Sequence, residues 1–273
     1  MVDVPNVRLN NGVEIPQFGF GVFQIPPERT AEIVRTAFEA GYRHIDTAQG
    51  YRNEEGVGQA VRESGLSRDE VFITTKLDNS RHGDPVPALE ESLKRLGTDH
   101  VDLFLIHWPR PRHDQYVQAW KGLEQLLADG RARAIGVSNF QVPHLQRLAE
   151  ETGTVPAVNQ IELHPRLRQA ELRAYHRENA IATEAWSPLF QGGDLLDEPV
   201  LADMAARHGK TPAQVVLRWH VQLGNIVFPK SATPARIAEN IDVFDFELSA
   251  QDVAAIDALD TGTRRGPDPD TFG

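Results

Sequence analysis

Four side chains suggest a chemistry before any fold is drawn: Asp46, Tyr51, Lys76 and His107. Asp46 sits in the short apolar run "RHIDT" and Tyr51 follows in "AQGYRNEE". Lys76 closes "VFITTK" and His107 closes "VDLFLIH". A buried aspartate without a partner is costly, and a lysine from a neighbouring segment makes it tolerable. An ammonium near Tyr51 would favour the phenolate and bring the hydroxyl down from its ordinary value near 10. Such a tyrosine is a competent acid, and His107 could hydrogen-bond the same substrate oxygen. The set suits protonation of a carbonyl oxygen. It holds no hydride, so a hydride would have to come from a cofactor. Taken singly, each residue has a plainer reading. A lone aspartate is usually a structural hydrogen-bonder, a lone lysine a solvated strand end, a lone tyrosine packing, and a histidine before Trp108-Pro109 a satisfied core residue.

What sets the four apart is where the surrounding elements place them. Short apolar or β-branched runs alternate with amphipathic stretches of helical length. The strand candidates are residues 18–22, 43–47, 71–76, 101–107, 133–138, 157–162, 181–186 and 225–230. Several are apolar nearly throughout, as strands buried on both faces are. Helix ends are legible between them: Asn53 as a cap before Glu54 and Glu55, Gly65 as a stop, Asp84-Pro85 as a start and Gly97 as a stop. Thr211-Pro212 and Thr233-Pro234 repeat the start signal. Eight strands, each followed by a helix, predict a single α/β domain over residues 1–273, a (β/α)8 TIM barrel. A hairpin turning at Asn10-Asn11-Gly12 should cap the barrel bottom. Extra helices are expected near residues 195–208 and 249–259, the second capped by Ser249. An open doubly wound sheet is the alternative, but "FGFGVFQIPPER" lacks its glycine fingerprint. In a barrel the strand C-termini form one mouth, and the four residues all fall there.

The segment "VFPKSATPARIAEN" carries a second signal. Lys230 and Ser231 leave the last strand, and Thr233-Pro234 opens a helix whose first N–H groups can meet an anion. Arg236 in the first turn opposes the helix dipole unless an anion is bound there. The pattern predicts a phosphate site.

Composition sets outer bounds. The 273 residues contain no cysteine, which excludes disulfides and cysteine chemistry. The net charge of −11 argues against a nucleic-acid partner. The N-terminal "MVDVPNVRLNNGVEIP" has no signal-peptide pattern and no apolar run is long enough to span a membrane. A cytoplasmic location is the expectation. The histidines show no ligand-like cluster, so no metal is expected and a metal-dependent barrel lyase or isomerase is disfavoured.

With these residues in place, the chain resembles the aldo-keto reductases over nearly its whole length. The motifs are "GYRHIDTAQGYRNEEGVG", "FITTKL", "DLFLIHWP", "IGVSNF", "NQIELHP", "WSPL" and "VFPKS". "VPAVNQIELHP", "GKTPAQVVLRWH" and "VFDFEL" are most similar to the bacterial branch that includes 2,5-diketo-D-gluconate reductase. The resemblance implies a catalytic tetrad of Asp46, Tyr51, Lys76 and His107. It implies NADPH, with Ser138, Asn139 and Gln160 at the nicotinamide carboxamide and Trp186 under the ring. Ser187, Leu189 and Gln191 would follow the pyrophosphate. Lys230, Ser231 and Arg236 would hold the 2′-phosphate, with Glu239 and Asn240 near the adenine. The implied substrates are aldehydes and small polar ketones or keto-sugars, facing Phe23, Gln24, Asp78, Trp108 and the tail after Thr261. Asp78 departs from the aromatic residue that many relatives carry, which implies a more open or polar pocket. Relatives are often monomers, and by that analogy a monomer is expected. The rival reading is a redox-sensing or structural nucleotide-binding protein without turnover; an intact tetrad argues against it.

Overall fold

A computed structural model describes residues 3–272. The chain begins with a hairpin of β1 (Asn6–Arg8) and β2 (Glu14–Pro16), paired antiparallel. Its turn needs a left-handed residue and Gly12 supplies one, at φ +88°. The side-chain amides of Asn10 and Asn11 donate to the carbonyls of Pro156 and Arg133. Leu9 and Ile15 pack with Phe72, Leu103, Ala134, Val158 and Ile226. The hairpin thus plugs the lower end of the barrel, as expected.

Eight parallel strands follow: β3 (Phe20–Gly21), β4 (His44–Asp46), β5 (Phe72–Leu77), β6 (Val101–Ile106), β7 (Ala132–Ser138), β8 (Val158–Glu162), β9 (Ala182–Trp186) and β10 (Ile226–Val227). Each pairs with the next in sequence. Between β3 and β10 the ring is joined by a parallel bridge from Phe18 to Val227. The Gly19 N–H donates to Val227 O, and the Val227 N–H donates to Gln17 O. All eight expected strands are present. β10 stops short of its expected end because Pro229 has no N–H to continue the ladder. Glycine is required beside it: a Cβ on Gly19 would lie 2.6 Å from the Phe228 ring.

The helices are α1 (Pro27–Ala40), α2 (Glu54–Glu63), α3 (Pro85–Leu96), α4 (Tyr116–Ala128), α5 (Val142–Glu151), α6 (Ala170–Glu178), α7 (Pro199–His208), α8 (Pro212–Gln222), α9 (Pro234–Ile241) and α10 (Ala250–Asp257). α7 and α10 are the expected additions to the repeat. Thr211 and Ser249 cap their helices by accepting the N–H of Gln214 and Asp252. Asn53 does not cap α2. Its amide donates to the carbonyls of Val22 and Ile25, and its oxygen accepts from the Thr47 hydroxyl. The residue ties the β3 and β4 loops together instead. Asp84 and Thr233 make no side-chain cap bond either; the Asp84 carboxylate pairs with Arg81.

Strand alternation sorts the side chains. Phe104 and Ile106 of β6 join the large core under the helices, whereas Leu103 and Leu105 join the barrel interior. Above that apolar interior, the same alternation brings Asp46, Lys76, Ser138, Gln160 and Glu184 into one polar layer. The outer layer tolerates little added volume where α2 meets α3. A Cβ on Gly58 would lie 2.0 Å from the Leu96 carbonyl oxygen. Gly58→Ala should therefore lower stability by about 1–3 kcal/mol, read as a shift in the urea midpoint.

Candidate active site

Lys76 at the end of β5 is wholly buried. Its Nζ donates to both carboxylate oxygens of Asp46 at 2.8 Å and to the Thr47 carbonyl at 3.0 Å. These bonds offset the cost of taking two charges out of water. Burial alone would lower the lysine, but Asp46 and then Tyr51 outweigh it, and the ammonium is held above the ordinary lysine value. Asp46 Oδ1 accepts a further bond from Gln160 Nε2 at 2.9 Å.

Tyr51 stands on a short 3-10 turn, Gln49–Tyr51, after β4. The turn is anchored by Gln49, whose amide donates to Ala88 O and Ser92 Oγ and accepts from the Asp78 N–H. This places the phenol oxygen 3.5 Å from Lys76 Nζ. Phe23 packs on the Tyr51 ring at 5.0 Å and His107 at 5.7 Å, centroid to centroid. One expectation needs correcting. Burial raises the Tyr51 hydroxyl most, Lys76 acts downward and Asp46 upward, and the net position is above the ordinary tyrosine value. The lysine opposes the effect of burial without reversing it. Burial, with Lys76 second, lowers His107 to about 3, so its ring is neutral at physiological pH.

These groups lie at the floor of a cleft of about 880 Å³. Asp46, Tyr51 and His107 line it, and Lys76 lies beneath. The twelve residues expected at a cofactor line it too: Ser138, Asn139, Gln160, Trp186, Ser187, Leu189, Gln191, Lys230, Ser231, Arg236, Glu239 and Asn240. Several are already oriented. The Trp186 indole N–H donates to Asn139 Oδ1, and the Asn139 amide donates to the His107 carbonyl and Ser138 Oγ. Ser231 Oγ accepts from the Thr233 N–H, and Glu239 accepts from the Thr211 hydroxyl. Among the described residues, neither Lys230 nor Arg236 has a carboxylate within 4.0 Å.

Of the expected substrate-facing residues, Phe23, Gln24 and Trp108 line the cleft. Asp78 does not. Its carboxylate accepts from the N–H and hydroxyl of Ser80, and these bonds outweigh burial to hold it below the ordinary aspartate value. The departure at this position shapes a loop instead of the pocket wall.

Sequence reasoning missed two contributions, Glu184 and the start of α8. Glu184, fully buried in β9, accepts from Gln160 Nε2 at 2.9 Å; its place two residues before Trp186 in "TEAW" puts it on the inward face, and that period was the available signal. Thr211, Pro212 and Ala213 at the start of α8 line the cleft. The tail after Thr261 lines the cleft as expected, through Arg265, Gly266 and Pro267. The carboxylate of Glu162 holds that tail, accepting the N–H groups of Arg265 at 2.6 Å and Gly266 at 2.9 Å.

The model of the aldo/keto reductase family matches residues 17–261. An aldo-keto reductase of Mycolicibacterium smegmatis is 57% identical over 270 residues, 98% of each chain. A methylglyoxal reductase of Escherichia coli, DkgA, is 52% identical over 268 residues, again 98% of each chain. Among solved structures, an aldo/keto reductase from Brucella melitensis matches with a TM-score of 0.91 at 52% identity, covering 94% of this chain and 100% of that one. A mutant of Gox0644 in complex with NADPH matches with a TM-score of 0.95 at 46% identity, covering 99% of both chains.

The ion pair is also a stability element. Lys76→Met leaves Asp46 buried without its counter-ion and should cost about 3–5 kcal/mol in urea unfolding, part of which Asp46→Leu in the same chain should restore.

Proposed function

We propose, from the premise that this chain belongs to the aldo/keto reductase family, that it reduces small polar aldehydes and ketones to alcohols with NADPH. Suited substrates are 2-oxoaldehydes of the methylglyoxal type and keto-sugars. The observation that carries this reading is the bidentate Asp46–Lys76 pair set 3.5 Å from the Tyr51 hydroxyl at the floor of the cleft.

The cleft suits such a cofactor. Lys230 and Arg236 offer two cations to a 2′-phosphate at one end, in a chain whose net charge is −11. Ser231 lies beside them, with Glu239 and Asn240 at the adenine. Ser187, Leu189 and Gln191 border the pyrophosphate path. At the other end Trp186 offers its indole to the nicotinamide ring, with Ser138, Asn139 and Gln160 at the carboxamide. When bound, NADPH supplies the hydride to the carbonyl carbon.

The protein's residues handle the oxygen. Tyr51 donates its proton as negative charge builds on the carbonyl oxygen, and the product leaves as an alcohol. The phenolate that remains is stabilised by the Lys76 ammonium, which Asp46 holds in place, and is reprotonated from water. Neutral His107 directs a ring nitrogen at the same oxygen, so it orients the carbonyl without adding a second cation. Phe23, Gln24 and Trp108 face the substrate. Phe272 packs on Trp108 at 4.5 Å, centroid to centroid, so the tail limits the space on that side.

The chain is read as one domain over residues 1–273 acting as a cytoplasmic monomer. Among the described residues, the large apolar side chains left exposed are Phe23, which lies at the cleft, and Val155; such isolated exposure gives no basis for a partner surface. No helix among them is long and apolar enough to cross a membrane.

Two variants test the assignment. Tyr51→Phe should lower kcat by roughly 10²–10⁴-fold while NADPH still quenches tryptophan fluorescence at nearly wild-type concentrations; undiminished turnover would contradict the role of Tyr51. Lys230→Ala with Arg236→Ala should weaken NADPH by roughly 10- to 100-fold and leave NADH nearly unchanged. Equal losses for both nucleotides would contradict the phosphate site.

A further inference from the structure

Glu184 lies in the middle of β9, on the same face as Trp186 and inside the barrel. It is fully buried. One oxygen accepts from Gln160 Nε2 at 2.9 Å. The other, Oε1, has no hydrogen-bond partner among the described residues. The same Gln160 nitrogen donates to Asp46 Oδ1 at 2.9 Å. An amide –NH2 has two hydrogens, and both are now committed to carboxyl oxygens. Turning the amide over would set its carbonyl against those two oxygens. Gln160 is thereby locked with its own carbonyl as the polar end left for the cleft that it lines.

Two titratable groups act on this bond, and a third lies beneath one of them. Asp46 comes from β4 and Lys76 from β5, and both act on Glu184. His44, one layer beneath Asp46 on β4, is lowered to about 3, chiefly by burial, and is neutral. Burial, reinforced by the Asp46 charge, raises Glu184 to about 8. Near pH 7 Glu184 is therefore neutral, and it adds no second anion to compete for Lys76.

We propose that Glu184 is a positioning residue: it locks the Gln160 amide against Asp46 and so steadies both the ion pair beneath Tyr51 and the Gln160 carbonyl that meets the cofactor's carboxamide. Only the second contact rests on the reductase reading. Ionising Glu184 adds a negative charge to this layer. That charge opposes formation of the Tyr51 phenolate, so carbonyl reduction falls as pH rises through the Glu184 transition.

The test compares wild type with E184Q, which keeps the size and neutrality of the acid, and E184L, which removes the acceptor. NADPH dissociation constants come from fluorescence titration and kcat from NADPH absorbance, from about pH 6 to about pH 9.5. Wild type should lose kcat with a midpoint near 8, the value to which Glu184 is raised. E184Q should match wild type at low pH and lack that loss. E184L should bind NADPH roughly tenfold more weakly at low pH, a difference of about 1.4 kcal/mol. An E184Q profile that keeps the alkaline loss, or wild-type NADPH affinity in E184L, would overturn the proposal. The isosteric E184Q carries the test if E184L does not fold. Binding is read without turnover, so a wild type that binds NADPH but reduces no carbonyl contradicts the reductase reading, while the Gln160 lock is still judged by affinity.

Discussion

A lysine ammonium cannot sit at the centre of a protein unless something holds it there. In this chain Asp46 does so with both oxygens at 2.8 Å, and the arrangement around the cleft follows from that need. The pair requires β4 and β5 in a fixed register, which their parallel ladder supplies by setting Asp46 opposite Thr74, two residues before Lys76. It requires a further donor for Asp46, which Gln160 provides from the opposite side of the barrel. With Asp46 and the Thr47 carbonyl accepting its bonds, the ammonium is fixed with its charge 3.5 Å from the Tyr51 hydroxyl. The lysine acts on that phenol as a field that works against burial. A buried tyrosine would otherwise resist losing its proton, and the reaction asks it to do so.

Around this centre the barrel divides the work between strands and loops. Strands present side chains whose positions are set by alternation, so Ser138, Gln160 and Trp186 reach the cleft from three neighbouring strands. Loops supply the rest and must be tied down to be useful. Gln49 ties the Tyr51 turn to α3. Glu162 ties the C-terminal tail across the cleft, where Gly266 comes so near Trp186 that a Cβ would lie 2.4 Å from its ring. The Arg265 guanidinium rests 4.3 Å from the centre of the Phe190 ring, which joins that tail to the loop carrying Leu189 and Gln191. The two walls of the cleft are thus linked to each other as well as to the barrel.

Much of this was legible in the sequence, for reasons of periodicity. Runs such as "VDLFLIH" are apolar because both faces of β6 are buried, and such runs located all eight strands. Knowing the strands located their ends, and the ends held the tetrad residues and the cations after β10. What was not legible depended on choices between partners. Asn53 could cap α2 or bind the neighbouring loop, and the chain uses it for the loop. Asp78 could face the cleft or Ser80, and the Ser80 hydroxyl and N–H are closer to hand. The net position of Tyr51 depends on the balance of burial against one nearby charge, which spacing does not express. Glu184 was hidden by the strength of its own strand pattern, since a carboxyl group in the middle of "IATEAW" reads as one residue among apolar neighbours until its inward face is known.

The central claim is that the Lys76 charge lowers the cost of a Tyr51 phenolate. It can be read directly by labelling the tyrosines at 13Cζ, assigning Tyr51 through Tyr51→Phe, and titrating the resonance in wild type and in Lys76→Met. Tyr51 should ionise at a distinctly lower pH in wild type than in the variant. An identical titration in both proteins would contradict it.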